Sequence, residues 1–273
     1  MAKSLKPKEP NTYIDASGVY DFESKMTQEE INALFTNAGA GTHNSIYRGK
    51  FLGTSVTPEQ YAAIANGTFK GMYNGDFWTI NEVNYRIGDF DYFLRSGDIE
   101  CKNHHVLIVP DSGLYLTKMN TSNTTTGGYV GTAMHKSNLV QAKTIIKAAF
   151  GAEHIITHRN YLCNAVTNGK PSGGVWADLD VMLMSEQMAF GGTFVEPTSD
   201  GSTVPAKYTI ACKQLNLFRH RPDLITNRMT YWLRNVVSST TFAVASSSGE
   251  ANAMVASANL NVRPYFCIGV AEV

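Results

Sequence analysis

The segment Tyr231-Trp232-Leu233-Arg234-Asn235-Val236 joins aromatic, aliphatic and basic residues in one short run. Aromatic and β-branched residues in such a run predict a strand. Small and polar residues dominate the stretch that follows, residues 243–261, before strand-forming residues return at Val262-Arg263-Pro264-Tyr265-Phe266. The pattern predicts a rigid frame that brackets a small-residue loop. Binding surfaces on rigid scaffolds are commonly built in this way.

Within this region we predict a contact surface and its structural anchors. The residues expected to face a ligand are polar or flexible: Ser246, Ser247, Ser248, Glu250, Asn252, Met254, Ser257 and Asn259. An ordinary polar hairpin loop is the alternative. Trp232 and Phe242 are predicted to anchor the core. Arg234 and Arg263 lie in apolar strands, so we expect each to have a buried or half-buried partner, an aspartate or a backbone carbonyl.

Helix signals occur at four places in the body of the chain. Thr57-Pro58-Glu59-Gln60 has a capping Thr, Pro at the first helical position and Gln at the third. Residues 137–150 carry apolar side chains at helical spacing and are followed by Gly151. Shorter helical stretches are predicted at residues 161–165 and 186–190.

Strand signals fill most of the remainder. Phe77–Ile80 and residues 83–93 indicate a hairpin with a polar turn, and residues 106–110 form an apolar run typical of a central strand. Residues 175–184 are predicted to form one strand. Two main helices among many short antiparallel strands predict an α+β fold.

The N-terminal residues 1–41 have the character of an arm that anchors or oligomerises the protein. Its apolar side chains are Tyr13, Phe22, Ile31, Leu34 and Phe35. Thr27 and Glu30 have capping-box spacing before three of them, which predicts a short amphipathic helix. A helix of this length is unstable alone, so we expect it to pack on its own body or on another chain.

Composition narrows the function classes. The chain has 273 residues, with 23 Lys and Arg against 23 Asp and Glu, so its formal charge is zero. A neutral chain has no global field that attracts nucleic acid or an anionic membrane. No apolar run approaches the ~18 residues of a membrane span, and the start lacks the apolar stretch of a signal peptide. We therefore expect a protein made in the cytoplasm, with no nucleic-acid or membrane partner.

The candidate metal ligands do not form a strong motif. The four cysteines, Cys101, Cys163, Cys212 and Cys267, are too far apart in sequence for a zinc ribbon, and buried hydrophobic roles are predicted. His154 and His158 have i, i+4 spacing, but Ile155-Ile156 between them favours a strand, where this spacing serves a metal less well. Structural or surface histidines are the favoured interpretation.

The candidate catalytic groups are carboxylate pairs. Asp89 and Asp91, like Asp178 and Asp180, stand at i, i+2 and could share one face of a strand. Exposed turn aspartates are the favoured interpretation over a cation or acid–base site. The sequence has no nucleophile elbow, phosphate-binding loop or dinucleotide fingerprint. We predict no catalytic residue, no metal and no cofactor, and hence no enzyme.

Several motifs resemble one known group. Trp232-Leu233-Arg234, Val237-Ser238-Ser239 and Val262-Arg263-Pro264 resemble the C-terminal signature of C-type-lectin-like domains in bacteriophage structural proteins. Further stretches in the same order resemble phage head fibre and minor structural proteins: Ile46-Tyr47-Arg48-Gly49-Lys50-Phe51-Leu52-Gly53, Gly75-Asp76-Phe77-Trp78-Thr79-Ile80, His104-His105-Val106-Leu107-Ile108-Val109-Pro110-Asp111, Thr157-His158-Arg159 and Pro171-Ser172-Gly173-Gly174. The resemblance covers residues 43–270.

This resemblance implies a C-type-lectin-like domain over residues 42–273, with the N- and C-terminal strands brought together and the body displayed on a phage particle. In some relatives the loop before the closing strand is diversified by a retroelement. Calcium-dependent lectins carry a Glu-Pro-Asn or Gln-Pro-Asp site and a Trp-Asn-Asp strand. Here Glu196-Pro197-Thr198 lacks the amide oxygen and Trp232 precedes Leu-Arg, so calcium-mediated sugar binding is not expected.

The leading functional expectation is a non-enzymatic virion structural protein, a capsid decoration or head fibre subunit. It would be a homotrimer whose partners are other virion proteins of the capsid shell or tail. The alternative is a receptor-binding protein at the tail tip or baseplate, which contacts a host surface protein or glycan through residues 246–259. A glycan hydrolase on the particle is a third class and would need two carboxylates about 5–9.5 Å apart in a cleft.

Overall fold

The computed structural model describes residues 43–163, 166–167, 170–171, 174–195 and 213–270. The predicted arm, residues 1–41, lies outside the described residues together with its five apolar side chains, Tyr13, Phe22, Ile31, Leu34 and Phe35. The calcium-site comparison at residues 196–198 also lies outside them.

The described elements are mostly short strands. In chain order the strands are β1 (Phe51–Gly53), β2 (Phe77–Ile80), β3 (Val83–Phe90), β4 (His105–Pro110), β5 (Tyr115–Lys118), β6 (His158–Cys163), β7 (Val166–Thr167), β8 (Lys170–Pro171), β9 (Gly174–Leu179), β10 (Val181–Leu183), β11 (Tyr231–Val236), β12 (Thr241–Ala245), β13 (Ala251–Val255), β14 (Asn259–Val262) and β15 (Pro264–Gly269). The α-helices are α1 (Pro58–Ala65), α2 (Val140–Phe150), α3 (Glu186–Phe190) and α4 (Asn216–His220).

Two sheets organise these strands. A six-stranded sheet has the order β1-β2-β3-β4-β15-β10, and a five-stranded sheet has the order β13-β12-β11-β14-β5. Each sheet has one parallel pair, β1–β2 in the first and β11–β14 in the second, while the other pairs are antiparallel. The pairs β6–β9 and β7–β8 are separate antiparallel ribbons. The predicted α+β fold is confirmed, with mostly antiparallel mixed sheets and few helices.

The chain passes between the two sheets at Arg263. β14 belongs to the five-stranded sheet and β15 to the six-stranded sheet, and this one residue separates them. Every residue of β4, β11 and β15 is buried, so these strands do not alternate between buried and exposed positions, although β4 begins with His105 and β11 contains Arg234 and Asn235. The predicted central strand at 106–110 is confirmed, because β4 lies between β3 and β15.

Local signals predicted the two longer helices. At α1 the Gln60 amide donates to Thr57 Oγ1 at 3.2 Å, and the Thr57 amide donates to Gln60 Oε1 at 3.0 Å, which completes the capping box. α2 starts at Val140, three residues later than predicted, because Met134–Asn138 forms a π-helical turn before it. The helix ends at Gly151, whose φ of 82° is accessible to glycine at little cost.

Two element predictions were wrong. The predicted helical stretch at 161–165 overlaps strand β6, which pairs with β9 from His158 to Cys163. The predicted strand at 175–184 breaks at Asp180, because β9 and β10 belong to different sheets. At the break, Asp180 binds Lys143 at 2.8 Å and Lys147 at 2.9 Å. Burial alone would raise the pKa of Asp180, but hydrogen bonds from these lysines lower it to about 2.

The terminal strands do not meet as the lectin-like resemblance implied. Both β1 and β15 belong to the six-stranded sheet, but β2, β3 and β4 lie between them. Within the described part of the chain, the first strand is therefore an edge strand and the last is an interior one. None of the helices described has the length and apolarity that a membrane crossing requires.

We expect Trp232→Ala to lower the free energy of unfolding by about 3–5 kcal/mol, the cost of emptying a core aromatic site. Trp232 is fully buried on β11, and its indole Nε1 donates to the Thr117 carbonyl of β5 at 3.0 Å. Urea unfolding measures the change. Leu116→Ala is the control, since Leu116 is 57% exposed on β5. A Trp232→Ala midpoint equal to that of the control would contradict the anchoring role.

Candidate functional site

The predicted contact residues lie on the hairpin formed by β12 and β13 and on the turn that leads into β14. The two strands pair in register from Thr241 opposite Val255 to Ala245 opposite Ala251. β13 pairs with β12 and is the last strand of its sheet among the described residues. The β13 edge and its hairpin turn therefore carry the predicted residues from Ser246 to Met254, while Asn259 on β14 lies inside the sheet.

The tip of this hairpin is held by short hydrogen bonds within the turn. The Ser246 amide donates to the Glu250 carbonyl at 2.9 Å, and the hydroxyls of Ser246 and Ser248 lie 2.7 Å apart. Gly249 has a φ of 99° and no neighbour within 4 Å of a Cβ built on it, so the tip extends into open space. The turn combines a defined backbone with small, solvent-facing side chains.

Exposure varies along the predicted set. The side chains of six members are exposed: Ser247, Ser248, Glu250, Asn252, Met254 and Asn259. Ser246 and Ser257 are half-buried. In chain order, the eight residues lie on the hairpin of β12 and β13, on the turn after it and at the start of β14. The hairpin therefore carries the first six members, while Ser257 lies in the turn after β13 and Asn259 begins β14, which β11 and β12 separate from β13 in the sheet.

Two distant residues position this surface, and the sequence analysis missed both. Thr230 Oγ1 accepts from the Ser247 amide at 3.0 Å, and Asn123 Oδ1 accepts from the Ser257 amide at 3.1 Å. Asn123 and Ser257 are 134 positions apart in sequence. A single polar residue in a Thr- and Ser-rich loop has no periodicity or spacing that could have identified it. Only the folded chain shows these contacts.

The frame behind the hairpin is apolar and buried. Phe242 on β12 and Trp232 on the adjacent β11 are both fully buried. Four of the five β12 residues and all of β11 are buried. Side chains on β13 are therefore exposed to solvent, while β12, the strand with which it pairs, is packed in the core. Substitutions on β13 can therefore change the surface without emptying the core.

Arg263 joins the two sheets through backbone carbonyls. Its Nε donates to the Pro110 carbonyl at 2.7 Å, and its Nη1 donates to the carbonyls of Leu224 and Ile225 at 3.0 and 2.6 Å. The guanidinium also lies 5.1 Å from the Tyr231 ring centroid and 5.5 Å from that of Phe218, within cation–π range. The side chain is fully buried. Its partners are backbone carbonyls, which are one of the two kinds of partner predicted from the sequence, the other being an aspartate.

Arg234 lies in β11, on the same buried side as Met182 and Tyr265. Its Nη1 lies 3.5 Å from Met182 Sδ, and the hydroxyl of Tyr265 lies 3.6 Å from the same sulfur. Arg234 is only 5% exposed. Both predicted arginines are therefore interior groups and neither contributes to the exposed hairpin.

The histidine candidates occupy separate structural positions. His154 stacks on Tyr61 with ring centroids 3.6 Å apart, whereas His158 stacks on Phe93 at 3.9 Å. Burial lowers the pKa of His158 to about 3, so its imidazole is neutral at physiological pH. Its Nε2 lies 3.0 Å from the Tyr265 hydroxyl. The i, i+4 spacing does not bring the two imidazoles to one site.

Asp89 is buried and the side chain of Asp91 is only 9% exposed, so the prediction of exposed turn aspartates was wrong for this pair. Asp89 accepts from the side-chain and backbone nitrogens of Asn216, and burial raises its pKa. Asp91 binds His104 Nδ1 at 2.8 Å and the His105 amide at 2.9 Å. The carboxylates of Asp89 and Asp91 therefore bind different segments of the chain. β3 ends at Phe90 and Asp91 has a φ of 50°, so the alternation of a strand does not extend from Asp89 to Asp91.

The remaining candidate metal ligands and catalytic groups also have structural positions. The buried thiols of Cys101 and Cys267 fit the predicted hydrophobic role, while the side chains of Cys163 and Cys212 lie outside the description. Asp178 has a largely exposed side chain 3.3 Å from Arg159 Nη1. Across the described ranges, no group of three or more His, Cys, Asp or Glu side chains could hold a metal ion.

The chemistry available on the hairpin is that of recognition. Hydroxyls, amides, one carboxylate and one thioether can donate, accept and make apolar contacts. Comparison with protein-family models, curated proteins and solved structures found no match to this chain.

We expect Arg263→Met to lower the free energy of unfolding by more than ~3 kcal/mol, because three buried carbonyls lose their donor at ~1–3 kcal/mol each. Urea unfolding measures this. Arg221→Met is the matched control: Arg221 pairs with Asp223 at the surface, where an ion pair contributes at most ~1 kcal/mol. Equal losses in the two variants would show that Arg263 does not hold the sheets together.

Proposed function

We propose that this chain is a non-enzymatic virion structural protein, a capsid decoration or head fibre subunit with a C-type-lectin-like body. The observation that carries the proposal is the hairpin of β12 and β13. It presents polar side chains of the turn and of β13, together with the exposed Met254 and Val255, on a buried frame. Such a surface suits display on a particle, where it must stay soluble and tolerate change.

The placement of the reactive side chains supports a passive role. The two buried aspartates fix backbone and side-chain nitrogens, and His158 is stacked and neutral in the core. These groups act as structural hydrogen-bond partners. In the proposed particle the arm, residues 1–41, attaches the body to the capsid shell or to other virion proteins and assembles a homotrimer.

The lectin-like part of the proposal rests on the motifs that resemble phage structural proteins and occur in the same order along the chain. Trp232-Leu233-Arg234 lies in the buried strand β11, and Val262-Arg263-Pro264 spans the passage from β14 to β15. The motif residues thus take core and connecting positions. Between them lie the buried residues of β12 and the exposed hairpin tip, whose small side chains can vary without emptying the core.

Immunogold electron microscopy of intact particles tests the virion assignment. Antibody raised against the purified chain is expected to label the head. Label confined to the tail tip would overturn the decoration role and favour the second candidate below. Particles without label, from a preparation in which the antibody recognises the chain after disruption, would leave this as an internal or non-virion protein and overturn both.

The second candidate is a tail-tip or baseplate protein that contacts a host surface protein or glycan. It is favoured by the grouping of Ser247, Ser248 and Asn252 on the exposed edge of the five-stranded sheet. A rigid edge with hydrogen-bonding side chains can recognise either partner class.

For this candidate we expect Ser248→Tyr and Asn252→Tyr to reduce phage adsorption at least about tenfold, a loss of ~1.4 kcal/mol in binding, without changing the thermal midpoint. Ser112→Tyr is the matched control, an exposed serine between β4 and β5. Adsorption is measured on host cells with particles that carry each variant. Normal adsorption by both hairpin variants would exclude host contact by this surface.

A further inference from the structure

An apolar strip lies at the outer edge of the six-stranded sheet. We call Ile46, Phe51 and Phe77 the edge strip. Ile46 is 62% exposed and Phe51 on β1 is 50% exposed, while Phe77 on β2 is half-buried. The rings of Phe51 and Phe77 have centroids 5.7 Å apart. Large apolar side chains grouped at an edge strand are typical of a surface that another segment covers.

The rim of the edge strip is rigid. Arg86 places its guanidinium 4.5 Å from the Phe77 ring centroid and binds Asp111 at 2.6 Å. Arg48 lies over the Tyr73 ring at 4.3 Å and pairs with Asp76. Each guanidinium is thus held by a ring face and a carboxylate. A surface ordered in this way loses little conformational freedom when a partner docks.

The preceding part of the chain ends beside this strip. Residues 1–42 precede the described body, which begins at His43, three positions before Ile46. In residues 27–35 the sequence predicts a short amphipathic helix whose apolar side chains are Ile31, Leu34 and Phe35. The linker of residues 36–42 can span about 23 Å when extended, which suffices to fold the helix back onto the strip.

The charges near the start of the predicted helix and beside the edge strip are also complementary. The segment contains Glu29 and Glu30 at the predicted start of the helix. Lys50 is exposed immediately before Phe51, and it forms no ion pair with any residue that the structure describes. An acidic first turn can therefore approach a basic position on the strip. The attraction is weak at the surface, and it adds orientation to the apolar contact.

We propose that residues 27–35 dock on the edge strip of their own chain. Tethering through a seven-residue linker gives the segment an effective concentration in the ~mM range, so a weak apolar contact is sufficient. Docking stabilises a helix too short to persist alone. Residues 1–26 then remain available for contacts between copies or with other virion proteins. The inference does not depend on the virion assignment, because it concerns contacts within one chain.

Hydrogen–deuterium exchange of the full-length protein, followed by mass spectrometry, tests the docking. Amides of residues 28–36 are expected to be protected in the wild type. Phe51→Ser on the strip and Leu34→Ala on the segment are each expected to speed their exchange at least about tenfold, or ~1.4 kcal/mol. Alanine favours helix, so loss of protection in Leu34→Ala reports docking rather than helix propensity.

Leu116→Ser is the control, because Leu116 is as exposed as Phe51 but lies on β5 of the other sheet. It should leave the exchange of residues 28–36 unchanged. Circular dichroism and thermal midpoints verify that each variant is folded. Exchange of residues 28–36 at the unprotected rate in the wild type would overturn the proposal. Protection that survives Phe51→Ser, or that disappears on dilution, would also overturn it, the latter by placing the segment on another copy.

Discussion

The buried guanidinium of Arg263 is the interaction on which the arrangement of the two sheets depends. It stands between β14 and β15, at the point where the chain leaves one sheet for the other. Its donors bind a carbonyl at the end of β4 and two carbonyls in the turn before β11, 153 and 38–39 residues away. A planar fork with several donors can hold three carbonyls at once, which a lysine cannot do with the same geometry.

This connection positions the candidate surface. β11 is held against β14 and β12, and Trp232 bonds the carbonyl of Thr117 in β5. The hairpin of β12 and β13 then projects from a sheet in which β11 is wholly buried and β12 nearly so. The edge strip lies on the other sheet, at β1, so the two surfaces belong to different edges of the molecule. The β13 edge carries polar side chains beside the exposed Met254 and Val255, and the β1 edge carries the edge strip, so the proposed display surface is separate from the proposed seat of the N-terminal segment.

The elements that the sequence predicted well have strong local signals. α1 was identified from a capping Thr and a Gln three residues later, and both predicted hydrogen bonds form. The turn of the β2–β3 hairpin was identified from polar residues, and Asn81 and Glu82 take the positive φ angles of a tight hairpin turn. The helical stretch predicted at residues 161–165 overlaps the last three residues of β6. Its pairing with β9 decides its conformation.

By itself the sequence determined the α+β class, the start of α1, the central strand β4 and the grouping of the contact residues between two strands. Tertiary structure alone decided that Asp180 divides one apolar run between two sheets, that Asp89 is buried against Asn216, and that Asn123 supports the turn at Ser257. The physical reason is the range of the interactions. Caps and hairpin turns bond residues two to four apart, so their partners are visible in sequence. A buried carboxylate or a supporting amide finds its partner more than a hundred residues away, and only packing brings the two together.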